Sequence, residues 1–180
     1  MADFVHLTNK TEYSLSEGAL PIARIAELCQ SFSMPAVGIS DNNNMFGALE
    51  FSEQIAKVGV QQILGCNIKI KTPKEYLHEN IEDNDLYFYL NIFSKNNEGY
   101  ENLLKCVSNA YTFNKGNAYV TVDNLIKFKD GLIILSGGNN SILTHSTGHM
   151  ITKQSQQFIS DFKKEFNDNF YIEIQRFGSV

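Results

Sequence analysis

Residues 1–18 read MADFVHLTNKTEYSLSEG. The short apolar run Asp3 to Leu7 predicts a first strand. A polar segment follows directly, with Thr8, Lys10, Glu12, Ser14 and Glu17, and Gly18 closes it. Loops at strand ends carry chemistry because the strands behind them hold them rigid. The segment has the layout of a metal-binding turn, yet few of its side chains bind metals. The one histidine here, His6, lies within the predicted strand, where packing or hydrogen bonding is the expected role.

Outward from this segment, strand-like and helix-like runs alternate. Strands are predicted at Ala36–Ile39, Gln62–Ile70, Leu86–Phe93, Gly131–Leu135 and Phe170–Gln175. Helices are predicted at Leu20–Phe32, Gly47–Val58, Asn97–Ala110, Val122–Lys127 and Thr152–Phe166. Apolar residues at helical spacing mark the inward faces: Ile22, Ile25, Ala26 and Cys29 in the first helix, and Leu49, Ile55 and Ala56 in the second. Tyr100, Leu103, Leu104 and Val107 do the same in the third, and Phe158, Ile159 and Phe162 in the last. Asn67 to Lys71 alternates polar and apolar, so one face of that strand is expected to be wet. Thr72–Asp85 and Tyr111–Ala118 read as loops. Such alternation implies an α/β fold with parallel strands, as an open sheet or a (β/α) barrel.

The chain has 180 residues, 43% hydrophobic and 19% charged, enough for one domain with a sizeable core. A net charge of −5 argues against a domain that grips a nucleic-acid backbone by itself, though not against a local basic patch. The three cysteines, Cys29, Cys66 and Cys106, are far apart among apolar neighbours, as reduced buried thiols of a cytoplasmic protein would be. The N-terminus lacks the signature of a signal peptide, and no apolar run reaches membrane-spanning length. The last predicted strand is followed by no helix, which leads us to expect a piece of a longer protein.

In a parallel α/β fold the site lies at the carboxyl ends of the strands. Those ends carry Thr8, Lys10 and Glu17; Ser40, Asp41 and Asn42; Asn67; Ser136, Gly138 and Asn139; and Gln175, Arg176 and Phe177. Glu17 and Asp41 are the only carboxylates among them, too few for an ordinary divalent-metal site. His145 and His149 stand four apart but have no acidic partner at motif spacing, and His78 falls in a charged loop. Ser136-Gly137-Gly138 lacks the following lysine of a phosphate-binding loop. Ser40 to Asn44 suits a tight turn and helix entry better than a calcium loop.

Six separated motifs, in order, resemble those of a known family. They are Phe4-Val5-His6-Leu7 with Thr11-Glu12-Tyr13-Ser14-Leu15 and Gly18; Met34-Pro35-Ala36 with Asp41 and Asn44-Met45-Phe46-Gly47-Ala48; Leu64-Gly65-Cys66; Lys95-Asn96-Asn97-Glu98-Gly99-Tyr100; Gly131-Leu132-Ile133 with Leu135-Ser136-Gly137; and Phe170-Tyr171 with Glu173, Gln175-Arg176 and Gly178. They resemble the PHP domain, in the form found at the N-terminus of bacterial DNA polymerase III alpha subunits. The resemblance spans the chain and implies a distorted (β/α)7 barrel of parallel strands. Residues 1–180 would be a PHP domain whose C-terminal end is missing, in a cytoplasmic DNA-directed DNA polymerase of DNA replication.

The resemblance also implies a metal site. Intact members of the family bind Zn or Mn at the strand ends and hydrolyse phosphoesters; the polymerase domain of the parent protein uses Mg. The family's ligand positions fall here on Thr8, Lys10, Glu17, Asp41, Asn42, Asn67, Tyr89, Gly138 and Phe177. Most of these residues are poor ligands, and Lys10 brings a cation, expected to pair with Glu17 or Asp41. The implied role is therefore a metal-free structural domain without catalytic residues or cofactor. It would support the rest of the alpha chain and dock the proofreading exonuclease subunit, with DNA bound through the parent protein and no membrane contact. The alternatives are a residual metal-dependent phosphoesterase or 3′–5′ exonuclease, and a free-standing binding module.

Overall fold

The computed structural model describes residues 4–77, 86–113, 117–138, 141–143 and 153–175. Its elements in chain order are α1 (Ile22–Ser31), β1 (Ala36–Asn42), α2 (Ala48–Lys57), β2 (Gln61–Lys71), β3 (Tyr87–Ser94), α3 (Asn97–Phe113), α4 (Val122–Lys127), β4 (Leu132–Leu135), α5 (Lys153–Phe166) and β5 (Phe170–Tyr171). Short 3-10 turns lie at Lys74–Tyr76 and Asn167–Asn169. The five strands form one sheet in sequence order.

The α/β class stands, but the strands are not all parallel. β1 pairs with β2 and β4 with β5 in parallel, while β3 runs antiparallel to both β2 and β4. The connections explain this. One crossover helix returns the chain to the end where the previous strand began and yields a parallel neighbour. Among the described residues only a 3-10 turn separates β2 from β3, and two helices separate β3 from β4. Each case reverses the strand direction.

The first predicted strand is not a regular one. Residues 4–10 run beside β1 with a single parallel bridge, Asn9 to Ile39. Gly38 N–H donates to the His6 carbonyl at 2.8 Å and Ser40 N–H to that of Asn9 at 2.9 Å. Two residues on β1 thus oppose three on the first segment, as at a bulge. The Asn9 side-chain amide completes the break by donating to the Gly38 carbonyl at 2.8 Å. Glycine at 38 permits the approach: a Cβ there would lie 2.6 Å from the Leu7 carbonyl oxygen.

Two apolar clusters hold the elements together. Ile22, Ile25, Ala26, Cys29, Val37, Ile39, Phe51 and Ile55 bind α1 and α2 to β1. A larger cluster joins the buried face of β2 and β3 (Cys66, Ile68, Ile70, Phe88, Leu90, Ile92) to α3, α4, α5, β4 and β5. Phe158 is central, with ring contacts to Tyr76, Phe88, Phe162 and Phe170. The inward face of α1 is as predicted, whereas α2 buries Ala48, Phe51 and Ile55 and exposes Leu49 and Ala56. In α3, Leu103 is buried but Leu104 is 38% exposed, and Cys106 and Ala110 complete the face. α3 also runs to Phe113, into the predicted loop. β5 is shorter than predicted because the Ser136 hydroxyl, rather than a strand backbone, accepts from Glu173 N–H at 2.9 Å.

Candidate functional site

The wet face of the sheet and the segment before α1 enclose a polar hollow of about 160 Å³, lined by Thr8, Lys10, Glu17, Asn67, Tyr89, Asn91, Gly138 and Gln175. Period two in β2 and β3 brings Asn67 opposite Asn91 and turns both to one side, while Cys66 and Ile92 turn to the core. Of the ligand positions that the resemblance implies, all but Asp41, Asn42 and Phe177 line this hollow; of the other strand-end positions Gln175 does, whereas Ser40 and Ser136 do not. Asn42 joins it through hydrogen bonds to Lys10 and Glu17, whereas Asp41 lies behind it and bonds to Thr11 and Ser14. Phe177 lies outside the described residues, as do Asn139, Arg176, His78, His145 and His149.

The Lys10 ammonium sits on β1. It donates to the Ser40 carbonyl at 2.7 Å and to Asn42 Oδ1. Asn42 Nδ2 in turn donates to Glu17 Oε2 at 2.6 Å. The expected direct ion pair is not formed with either Glu17 or Asp41. The Asn42 carboxamide stands between lysine and glutamate, offering its oxygen to one and its amide to the other. Burial is the main influence on Lys10 and lowers its pKa to about 8, against the opposing pull of Cys66, Glu17, Asp41 and Glu173. The Tyr89 phenol is pushed upward, first by burial and then by Glu17.

Asp41 is buried and fully engaged. Its carboxylate accepts from Thr11 N–H at 2.7 Å, Thr11 Oγ1 at 2.7 Å and Ser14 Oγ at 2.5 Å. Thr11, Ser14 and Asp41 therefore fasten the Thr-Glu-Tyr-Ser turn to the end of β1. Glu12 reaches further and its carboxylate accepts from Ile22 N–H at 3.0 Å, where the helix has an unpaired amide. Asn43 and Asn44 are absorbed by the turn. Asn43 Oδ1 accepts from Lys69 N–H at 2.8 Å, and Asn44 Oδ1 from Phe46 N–H at 3.2 Å.

A chain of amides crosses the floor. Asn91 Oδ1 accepts from Ser40 Oγ at 2.7 Å and Asn67 Nδ2 at 2.8 Å, and Asn91 Nδ2 donates to Glu173 Oε2 at 2.8 Å. Gln175 Nε2 donates to Glu173 Oε1 at 2.8 Å. Sequence reasoning did not assign Asn91 or Glu173 to the site. Each lies two residues from a position it did select, Tyr89 and Gln175, and strand periodicity was the signal for Asn91. The Ser136-Gly137-Gly138 turn packs inward: a Cβ on Gly137 would lie 2.2 Å from the Tyr89 carbonyl oxygen, and one on Gly138 would meet the Gln175 side chain. His6 is exposed, its ring edge-on to Phe4.

The donors present do not fit a divalent-metal cluster. Such a site needs several carboxylate or imidazole ligands free to coordinate. Here Asp41 is consumed by hydrogen bonds, Glu17 and Glu173 are turned to amides, and an ammonium lies among them. Among the described residues no group of three His, Cys, Asp or Glu side chains could hold a metal ion. The arrangement cross-links the N-terminal segment, β1, β3 and the segment after β5.

A second, larger hollow of about 660 Å³ adjoins the first through Glu17 and Tyr89, bordered also by Tyr13, Leu15, Phe46 and Tyr111. Among the described residues no helix is long and apolar enough to cross a membrane.

The chain is 29% identical over 180 residues to the DNA polymerase III alpha subunit of Haemophilus influenzae, covering 97% of this chain and 14% of that protein. It is 33% identical over 181 residues to the corresponding subunit of Caulobacter vibrioides, covering 97% and 15%. The chain thus spans about a seventh of the length of these relatives and resembles their N-terminal region. Its fold is shared with a solved structure from Bifidobacterium adolescentis assigned as a metal-dependent phosphoesterase, at a TM-score of 0.58 and 11% identity, over 89% of this chain and 75% of that one. The PHP domain profile matches residues 6–177, and the chain belongs to the PHP domain family.

Proposed function

We propose that this chain is the PHP domain of a DNA polymerase III alpha subunit, in which a former metal site has become a metal-free structural cross-link. The parent protein would be a DNA-directed DNA polymerase of cytoplasmic DNA replication, its magnesium-dependent active site lying outside these residues. The domain would support the polymerase fold and dock the proofreading exonuclease subunit. The observation that carries this reading is the Lys10 ammonium, seated on the Ser40 carbonyl and on Asn42 where the family places a metal ligand. Metal-assisted hydrolysis relies on a cation's charge to acidify a bound water. The neutral groups at Thr8, Asn42, Asn67 and Tyr89 offer little to hold one. Loss of chemistry with retention of scaffold is reasonable, because core and site are separable.

The test is elemental analysis of the purified protein, with assays on a phosphate monoester and a DNA 3′ end. The expected result is substoichiometric Zn and Mn and no hydrolysis after addition of either ion. Stoichiometric metal together with hydrolysis would replace this reading with a residual phosphoesterase or exonuclease. Docking is tested separately, by co-purification of the parent polymerase with its exonuclease subunit.

A further inference from the structure

The wet face of β2 and β3 continues beyond the hollow. Past Asn67 and Asn91, Lys69 stands opposite Tyr89 and Lys71 opposite Tyr87. Same-face neighbours on one strand are about 6.8 Å apart, so the lysines form a regular row. The segment around Val120 joins the other edge of β2: Lys71 N–H donates to the Val120 carbonyl at 2.9 Å, and Val120 N–H to that of Lys69 at 2.9 Å. This brings Tyr119 within 5.4 Å of the Tyr87 ring, measured between centroids. Each ring carries an ammonium: Lys69 lies 4.3 Å from the centre of Tyr87, and Lys71 lies 5.5 Å from that of Tyr119. Asn117 fixes the group further, accepting from Lys69 Nζ at 3.0 Å and donating to the Tyr87 hydroxyl at 3.0 Å. The row ends at a hollow of about 290 Å³ bordered by Lys71, Lys74, Thr72 and Thr121, with Glu75 and Asp123.

We propose that this lysine–tyrosine face binds single-stranded nucleic acid. Base stacking on aromatic rings combined with a cationic strip for the backbone is how such strands are held without sequence preference. Tyr87 and Tyr119 are partly exposed, and Lys71 and Lys74 are exposed. The wet-face residues Asn67, Lys69 and Lys71 of β2 and Tyr87, Tyr89 and Asn91 of β3 include no carboxylate. Lysines already placed by rings and by Asn117 lose less side-chain freedom when a phosphate arrives. A net charge of −5 works against duplex binding, which draws on many phosphate contacts, but a short single strand needs only a local strip.

Fluorescence anisotropy with labelled oligothymidylate and oligouridylate of about twelve nucleotides, at low salt, tests this on the purified chain. Binding that weakens with salt is expected, and the DNA and RNA arms identify the preferred strand. Lys69→Glu with Lys71→Glu is expected to lower affinity at least about tenfold, and Tyr87→Leu with Tyr119→Leu about fivefold or more. Lys69→Gln with Lys71→Gln gives a milder loss and serves if the glutamates disturb folding, which circular dichroism reports. Lys163→Glu with Lys164→Glu on α5 changes the net charge equally and is expected to cost less than about twofold. The proposal is overturned if the native chain binds neither oligonucleotide. Equal losses from the α5 pair, or displacement by polyglutamate as readily as by unlabelled oligonucleotide, overturn it as well.

Discussion

Asp41 is 1% exposed and receives three hydrogen bonds, from Thr11 N–H, Thr11 Oγ1 and Ser14 Oγ. Asn in its place would keep one acceptor oxygen and turn an NH₂ toward groups that themselves donate. Bonds to a charged acceptor contribute more than neutral ones, so Asp41→Asn is expected to lower stability by about 2–3 kcal/mol, read as a shift of the urea midpoint. Lys10 is governed by burial instead. Its folded pKa, about 8, lies below the ordinary value of 10.5. Between those values the unfolded chain binds more protons than the native one, so the Lys10 contribution to stability rises with pH across that window and is level below it. The stability difference between the native chain and Lys10→Met is therefore expected to move in favour of the native chain as pH goes from about 8 to 10. Paired urea titrations measure it, and a difference that falls with pH would mean that the bonds to Ser40 and Asn42 outweigh burial.

α1 and α2 differ in how plainly the sequence shows their buried faces. In α1, Ile22, Ile25, Ala26 and Cys29 recur at helical spacing and are buried, with Ala23 exposed and Leu28 half-buried beside them. In α2, Ala48, Leu49, Phe51, Ile55 and Ala56 surround more of the helix; contact with α1 and β1 selects Phe51 and Ile55, and Ala48 is buried as well. Leu49 is left 73% exposed. Leu49→Lys is accordingly expected to change stability by no more than about 0.5 kcal/mol, while Phe51→Ala costs about 3–5 kcal/mol. Thermal or urea unfolding of the two variants separates them, and a large loss at Leu49 would mean that this face is covered. β3 teaches the same lesson about connections. Its aromatic and β-branched residues identify it as a strand, but its direction depends on the number of helices on either side, which local pattern does not register.

The three cysteines lie in the two apolar clusters and are free thiols. Burial pushes Cys66 and Cys106 up to about 12 and raises Cys29 as well. The native protein is thus expected to react with a thiol reagent such as DTNB only at the rate of unfolding, and to yield all three thiols in denaturant; rapid reaction of the native chain would place a cysteine at the surface. The family resemblance singled out Tyr89, whereas the alternation of strands and helices, the inward face of α1, the wet face of β2 and the positions of Thr8, Lys10, Glu17, Asn67 and Gly138 were legible from the residues alone. These depend on periodicity and on the rule that strand ends gather at one side of a sheet, both local properties. The bulge opposite Gly38, the reversed β3, the Asn42 carboxamide between Lys10 and Glu17, and the entry of Asn91 and Glu173 into the site depended on the tertiary structure. Each joins segments distant in the chain, and which of several polar partners a buried lysine or carboxylate takes is decided by the distances that packing imposes rather than by residue type.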